Sequence, residues 1–297
     1  MDLAVGLPTQ EPTVTGASVV EWATLAERGG FSSLMVRDRV ETTLQEPLVA
    51  LSVVAGVTSR IRLLASTILT ATRETTLLAR QAASLDVLSG GRFTMGVGVG
   101  YRPEDYVATG YSFHERGRRV DEQLPILHRI WAGESPAEGV GPIGPAPRTP
   151  GGPRILVGGH VPPVARRIAG WGEGYLASVG GDDSDLARML ELWRLIERTW
   201  DDAGRTGRPW LVTAAYYGLG PDAANRADRY IGKNFAFKPA LAERLRRGVP
   251  TTPAAIRTMI QRHADLGADE LVLLSLSEDV RALEALIEVV APTGANT

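Results

Sequence analysis

The residues able to do chemistry stand where apolar runs give way to loops. Asp38 and Arg39 close the run Ser33-Leu34-Met35-Val36. There an ionised Asp38 can accept a hydrogen bond from a ligand N–H, and Arg39 can contact an anionic or electron-rich atom. The same pair can equally form a salt bridge at a rim, with Arg37 taking part. Gly96-Val97-Gly98-Val99-Gly100, followed by Tyr101, has alternate glycines. Either a flat ligand approaches that backbone, or the strand is simply crowded. Gly158-Gly159-His160-Val161-Pro162-Pro163 opens a helical segment, where free N–H groups and the helix dipole favour a phosphate. Ser178-Val179-Gly180-Gly181 is a second small-residue turn that could share the same phosphate. An ordinary turn would read the same way. His160 is a candidate general acid or phosphate donor, or else a capping residue.

These positions are spaced by a regular alternation of strand and helix. Leu3 to Leu7 precedes a helix from Ala17 to Arg28; Ser33 to Val36 precedes Pro47 to Val57; Arg62 to Leu69 precedes Glu74 to Leu88. Phe93 to Val99 precedes Glu115 to Trp131, Arg154 to Gly158 precedes Pro163 to Gly170, and Gly174 to Val179 precedes Ser184 to Ala203. Trp210 to Gly218 leads into a broken helical stretch over 221–266, and Glu270 to Leu276 precedes Asp279 to Val290. The strands are continuous apolar runs, as when helices bury both faces of a parallel sheet. Eight such units predict an α/β fold of the closed (β/α)8 TIM-barrel type, one domain over 1–297, with a long loop inserted after the fourth unit. That loop, Gly133 to Pro153, is rich in glycine and proline and is expected to act as a mobile lid. A barrel places its active site at the C-terminal ends of the strands. The positions to inspect are therefore Gln10 and Glu11, Asp38 and Arg39, Thr67 and Thr70, Gly98 to Tyr101, Gly158 to His160, Ser178 with Gly180 and Gly181, and Tyr216 with Tyr217.

Composition narrows the chemistry. The 297 residues carry a net charge of -2 with basic residues scattered, so neither nucleic acid nor an anionic membrane is an expected partner. No apolar run of transmembrane length and no basic-then-apolar leader is present, which leads to the expectation of a cytoplasmic protein. Without cysteine there is no disulfide, thiolate or iron-sulfur site, and the four histidines lie too far apart to suggest a metal site. The only lysines, Lys233 and Lys238, follow the seventh strand, which disfavours Schiff-base chemistry. No Gly-x-Ser-x-Gly elbow appears.

Leu85-Asp86-Val87-Leu88-Ser89-Gly90-Gly91-Arg92-Phe93-Thr94-Met95-Gly96-Val97-Gly98-Val99-Gly100 resembles the signature of the bacterial luciferase-like oxidoreductase family. The likeness continues through Arg116 to Trp131, Leu156 to Gly159 and Ala169 to Tyr175. The resemblance implies a homodimeric barrel that holds reduced FMN or a deazaflavin (coenzyme F-420), its phosphate near strands five and six. It also implies a cis non-proline bulge on strand three at Thr67-Ile68, with Thr70 nearby, and assigns Asp38 to the cofactor ring. Members often carry histidine where this chain has Arg39, so Arg39 remains only a candidate. Glu173 stands where aspartate is more usual. The cofactor residues so expected are Asp38, Thr67, Ile68, Thr70, Gly98, Val99, Gly100, Gly158, Gly159, His160 and Ser178; those expected in catalysis are Asp38, Arg39 and His160. Three activities follow: a two-component monooxygenase fed with reduced FMN by a separate flavin reductase and acting on a small organic substrate, a deazaflavin-dependent hydride-transfer enzyme, and a flavin-binding barrel without turnover.

Overall fold

A computed structural model describes residues 1–8, 13–42, 45–178 and 183–291. Eight parallel strands close in chain order into one barrel, the eighth pairing with the first. The strands are β1 (Asp2–Gly6), β2 (Ser33–Val36), β3 (Arg62–Leu69), β4 (Phe93–Gly98), β5 (Arg154–Gly158), β6 (Gly174–Ser178), β7 (Trp210–Tyr217) and β8 (Glu270–Ser275). Between them run α1 (Gly16–Arg28), α2 (Pro47–Val57), α3 (Thr75–Leu88), α4 (Pro103–Thr109), α5 (Arg116–Trp131), α6 (Pro163–Trp171) and α7 (Asp183–Asp202). After β7 come α8 (Ala223–Asn234), α9 (Pro239–Gly248) and α10 (Pro253–Asp265), and α11 (Val280–Val290) follows β8. The (β/α)8 expectation holds. The sequence reading passed over α4, a short helix in the stretch after β4 that begins at Pro103 and stops at Gly110, which has a left-handed φ of 74°.

Helix starts are fixed by local chemistry. Thr15 and Ser18 form a reciprocal capping box on α1, Glu46 accepts the Val49 N–H ahead of Pro47 on α2, and Glu74 accepts Thr76 and Leu77 N–H groups on α3. Packing does the rest. The outer faces of the strands and the inner faces of the helices share one large apolar core, in which Trp22, Leu51, Leu78, Phe93, Ile168, Tyr175, Ile196 and Leu283 are buried. Among the described residues no helix is long and apolar enough to cross a membrane.

Inside the barrel a separate apolar layer is built from Ala4, Met35, Leu64, Leu156, Leu176, Val212, Val272 and Leu274. Below it, at the N-terminal ends of the strands, the buried Glu270 carboxylate accepts from Ser33 Oγ at 2.8 Å and Arg62 Nη2 at 2.9 Å, and from Ser32 Oγ. This polar plug closes one end. Function is left to the other.

The signature string also belongs to the closed end. Asp86, fully buried at the end of α3, accepts the Thr149 N–H at 2.7 Å and its hydroxyl at 2.8 Å. Arg92 donates to the carbonyls of Ser89 and Ile61 at 2.8 Å, Thr58 at 2.9 Å and Ala55 at 3.2 Å, holding the end of α2 against the start of β4. Residues 133–153 connect α5 to β5 and so lie at this same N-terminal end. They are pinned there by Thr149 on Asp86 and by Gly152, whose Cβ, if present, would stand 2.2 Å from the Trp131 ring. The expectation of a lid over the active site is therefore corrected: the segment is at the wrong end of the barrel to cover it.

His263 of α10 is buried against β7, with Nδ1 2.9 Å from Thr213 Oγ1. Burial holds the imidazole down at about 4, from 6.5. Between these values the unfolded chain takes up a proton that the folded chain refuses. The stability is thus complete above pH 6.5 and declines as pH falls toward 4, by roughly 3 kcal/mol. Urea unfolding at pH 7 and pH 4.5 should show a smaller acid loss in His263→Leu than in wild type; equal losses would mean the ring protonates freely in the fold.

Candidate active site

The open end of the barrel is ordered by strand alternation. On β2, Leu34 and Val36 belong to the outer core and Met35 to the inner layer, so the next inward position is Arg37 and the next outward one Asp38. The sequence offers Asp38 and Arg39 as ligand contacts and Arg37 only as a rim partner; the alternation Met35-Arg37 is the signal that directs Arg37 inward.

Arg37 reaches across the mouth. Nη1 donates to the hydroxyl of Tyr216 on β7, and Nη2 to the hydroxyl of Tyr230 on α8. Its guanidinium carbon lies 5.5 Å from the Tyr216 ring centre and 5.9 Å from that of Tyr230. The two phenols hold the Arg37 cation above its ordinary range, against burial. Burial and the Tyr216 hydroxyl keep Tyr230 protonated, more strongly than the Arg37 cation opposes it.

Asp38 serves a neighbouring joint. Its Oδ2 accepts the Leu69 N–H at 2.9 Å and Arg73 Nη2 at 2.9 Å, and Arg73 Nη1 continues to Glu46 at 2.8 Å. Burial raises the carboxyl above its ordinary value, while the Arg73 guanidinium opposes that rise. Arg39 is joined to buried Asp105 of α4 at 3.0 Å and to Glu41 at 3.0 Å, and Asp105 Oδ1 also accepts Val40 and Glu41 N–H groups. Both residues thus tie the loop after β2 to β3, α2 and α4. The salt bridge considered for Asp38 exists, but its partner is Arg73 and not Arg37.

The floor of the mouth depends on β3. Its pairing with β4 shifts between Ala65 and Ile68, so Ser66 and Thr67 stand opposite the single residue Gly96. The cis peptide lies at Ser66-Thr67, one bond before the expected Thr67-Ile68. Ile68 faces the outer core and is fully buried. Thr67 turns inward: a Cβ on Gly98 would lie 2.2 Å from its Oγ1, and one on Gly158 2.6 Å from its Cγ2. The Gly96 site is closed likewise, by Ala65 O at 2.3 Å and Leu176 Cδ1 at 2.5 Å. Of the two readings of the glycine row, the crowded strand is the one observed for Gly96 and Gly98. Val99 packs at the core's edge and its carbonyl accepts the Tyr106 hydroxyl; Gly100 has a left-handed φ of 65° against Leu69. Thr70 is buried in a 3-10 turn (Thr70–Thr72), and its hydroxyl has no hydrogen-bond partner among the described residues.

Opposite, Gly158 ends β5 and Gly159 takes a φ of 143°. Tyr175 of β6 donates its hydroxyl to the Gly159 carbonyl at 2.8 Å, and the Tyr175 ring lies parallel to that of Trp193. This fixes the turn that enters α6. Arg167 anchors the helix from behind through Asp121 at 2.6 Å and the Gly117 carbonyl at 3.0 Å. His160 is exposed at the helix entrance. Ser178 ends β6; Gln10, Glu11, Val179, Gly180 and Gly181 lie outside the described residues.

A third wall is aromatic. Tyr101, after β4, stacks on Phe237 with centroids 5.5 Å apart, and Phe235 lies within 6.4 Å of Phe237 and 6.3 Å of Tyr216. Arg102 lies 3.7 Å from the Phe237 centroid and donates to the Asn234 carbonyl at 2.8 Å. The loops after β4 and β7 therefore meet over the mouth. Two hollows of about 570 and 520 Å³ occur, one between α1 and α11, the other beneath the α9–α10 link, where Tyr216 and His263 are among the lining residues. We place the candidate site at the mouth because the cation, phenols and helix entrance converge there.

A closed parallel barrel with polar and aromatic groups gathered at its C-terminal end is the frame of an enzyme. The chain belongs to the luciferase-like monooxygenase family, whose model matches residues 1–274, and is accordingly an oxidoreductase and not a flavin-binding barrel without turnover. A protein of Mycobacterium tuberculosis described only as uncharacterized is 30% identical over 237 residues, covering 69% of this chain and 79% of its own. The 4-hydroxyprotoasukamycin monooxygenase of Streptomyces nodosus subsp. asukaensis is 30% identical over 162 residues, 51% of this chain and 44% of that protein. Among solved structures, monooxygenase RslO1 from Streptomyces bottropensis superimposes with a TM-score of 0.80 at 22% identity over 98% of this chain and 99% of that one. The coenzyme F-420 dependent tetrahydromethanopterin reductase from Methanopyrus kandleri gives a TM-score of 0.75 at 16% identity, covering 98% of both.

Asp38→Ala should leave Arg73 without its buried partner and release the Leu69 amide, costing about 3 kcal/mol in urea unfolding. A loss below about 0.5 kcal/mol, within the range of ordinary surface changes, would free Asp38 for duty toward a ligand.

Proposed function

We propose that the protein is the oxygenase component of a two-component monooxygenase, taking reduced FMN from a separate flavin reductase and acting with dioxygen on a small organic substrate. The observation that carries this reading is the Gly158-Gly159-His160 turn, held by Tyr175 at the entrance of α6, facing a mouth floored by Thr67. The turn suits the phosphate: it joins backbone N–H groups to the positive end of a helix. Thr67, seated over Gly98 and Gly158, suits the flat ring as a small side chain at the floor. The buried Thr70 hydroxyl, without a partner in the described chain, suits a polar ring atom. Ser178 and His160 stand beside the phosphate turn in this reading. Bound there, reduced FMN would supply the two electrons that dioxygen must receive. The chain's own part is to bind, orient and keep water out, the last through the Tyr101, Phe235 and Phe237 wall.

The family description and the Streptomyces relative, both monooxygenases by name, favour a reaction with oxygen, for which reduced FMN is the flavin proposed. Coenzyme F-420 is the alternative, favoured by the Methanopyrus neighbour and by a 32% identical stretch of 122 residues in a putative coenzyme F-420 dependent oxidoreductase of Mycobacterium tuberculosis, 41% of this chain and 34% of that protein. It would need the same mouth and no oxygen. Anaerobic titration with reduced FMN and with reduced coenzyme F-420, followed by fluorescence, separates them. Tighter FMN binding, with oxygen uptake once a flavin reductase is added, is the expected result; preference for the deazaflavin would turn the reading to hydride transfer.

A homodimer forms part of the same proposal. The outer face of α2 presents Val49, Ser52, Val53, Gly56 and Val57 without one charge, and Leu77, Val87 and Leu88 of adjacent α3 extend it. Apolar surface of this kind marks an interaction site. Val53→Glu should convert a dimer to a monomer in light scattering; a monomeric wild type at tens of micromolar, roughly the range where a weak dimer still forms, would overturn it.

A further inference from the structure

Aromatic rings run in a row from the inner layer of the barrel to its rim. Tyr216 packs against that layer; Phe235 meets it edge-on with centroids 6.3 Å apart, Phe237 lies near-parallel to Phe235 at 6.4 Å, and Tyr101 stacks on Phe237 at 5.5 Å. Exposure rises along the row. Tyr216 and Phe235 are half-buried, whereas Phe237 is 37% and Tyr101 53% exposed. Rings joined in this way favour a flat apolar body laid along them.

Two cations stand at the outer end of the row. The Arg102 guanidinium carbon lies 3.7 Å from the Phe237 ring centre, and Lys238 Nζ lies 5.5 Å from the Tyr101 centre and 5.8 Å from that of Phe237. Neither is spent on a carboxylate. Arg102 donates through Nη2 to the Asn234 carbonyl and its buried Nε has no partner, while the Lys238 ammonium has no hydrogen bond or ion pair among the described residues. Arg39 and Arg73, on other loops of the same mouth, each meet two carboxylates. The bond from Arg102 to Asn234 is enough to pin the loops after β4 and β7 together; Lys238 adds charge and no bond. Its ring contacts leave the three ammonium donors for an incoming acceptor. The surroundings have the same sign. Residues 221–250 hold both lysines of the chain and five arginines against Asp222, Asp228 and Glu243, in a chain whose net charge is -2. A local excess of one sign beside a cleft gathers ions of the other.

We propose that the substrate is an organic anion, a small aromatic carboxylate, whose ring lies along Phe235, Phe237 and Tyr101 and whose carboxylate is met by Lys238 and Arg102 at the rim. The inference deepens the oxygenase reading above by naming the class of its substrate. In this orientation the apolar end of the molecule goes deepest, toward Tyr216 and the Thr67 floor, and the charge stays where water still reaches it. The phosphate turn before α6 belongs to a different loop, so substrate and cofactor anions have separate anchors.

Calorimetric titration of cofactor-free protein with 2-naphthoate and with its neutral counterpart 2-naphthamide tests this. Naphthoate should bind about tenfold more tightly. Lys238→Met should remove most of that preference and Lys238→Arg retain it, while Phe237→Leu should weaken both probes alike. Equal affinities, no binding of either probe, or a preference that survives in both Lys238→Met and Arg102→Gln would overturn the proposal. Affinity for reduced FMN should be unchanged in Lys238→Met; a matching loss there would assign the cations to the cofactor phosphate and overturn the substrate role. Failure of wild type to bind reduced FMN, with the naphthoate preference and its dependence on Lys238 intact, would sink the oxygenase reading and leave the anion-binding wall standing.

Discussion

The seat of Thr67 is the contact on which the mouth depends. An extra residue in β3 sets Ser66 and Thr67 against Gly96 alone and turns Thr67 into the barrel. Its hydroxyl then occupies the space above Gly98 and its methyl the space above Gly158, so one side chain spans three strands. Any residue larger than glycine at 98 or 158 would collide with it. The floor that results is low, continuous and half-open to solvent, with the packed inner layer directly beneath. Without the bulge, alternation would carry Thr67 to the outer face, and the two glycines would have no reason to be glycine.

That floor is useful because the far end of the barrel is sealed. Glu270, Ser32, Ser33 and Arg62 satisfy one another below the apolar layer. Asp86 and Arg92 lock the loops around them. The string most specific to the family therefore serves mainly the scaffold: through Asp86 and Arg92 it ties helix ends and a long connection together, and only at Gly98, Val99 and Gly100 does it arrive at the mouth. A closed lower end leaves a single entrance for ligands and solvent.

This division explains what could be read in the sequence. Eight apolar runs and their helices were legible because burial on both faces writes itself as continuous hydrophobicity. The site's location followed, since a barrel fixes which strand ends matter. The side chains were harder. A bulge shifts direction by one residue and leaves no mark in composition, hence the expectation of Thr67-Ile68 where the bond is Ser66-Thr67. Charge drew attention to Asp38 and Arg39, whereas the alternation through Met35 directed Arg37 inward. The loop over 133–153 misled because length and glycine content do not say which end of a barrel a loop is on; its place between helix and strand does. Tyr216 and Tyr217 were adjacent candidates, and only the pleat separates the first, at the mouth, from the second, fully buried in the outer core.

The arginines around β2 and β3 illustrate how one side chain is put to opposed uses. Arg39 and Arg73 meet carboxylates, those of Asp105 and Glu41 in one case and Asp38 and Glu46 in the other, and their charge is spent on joining loops. Arg37 donates instead to phenol oxygens, those of Tyr216 on β7 and Tyr230 on α8. A guanidinium carries its N–H groups in one rigid plane, so a single side chain can hold two hydroxyls from different elements, where a lysine would offer only a point charge on a flexible stem. The same fork that joins loops through carboxylates thus joins the end of β2 to β7 and α8 at the mouth, and does so next to aromatic rings whose faces favour a cation.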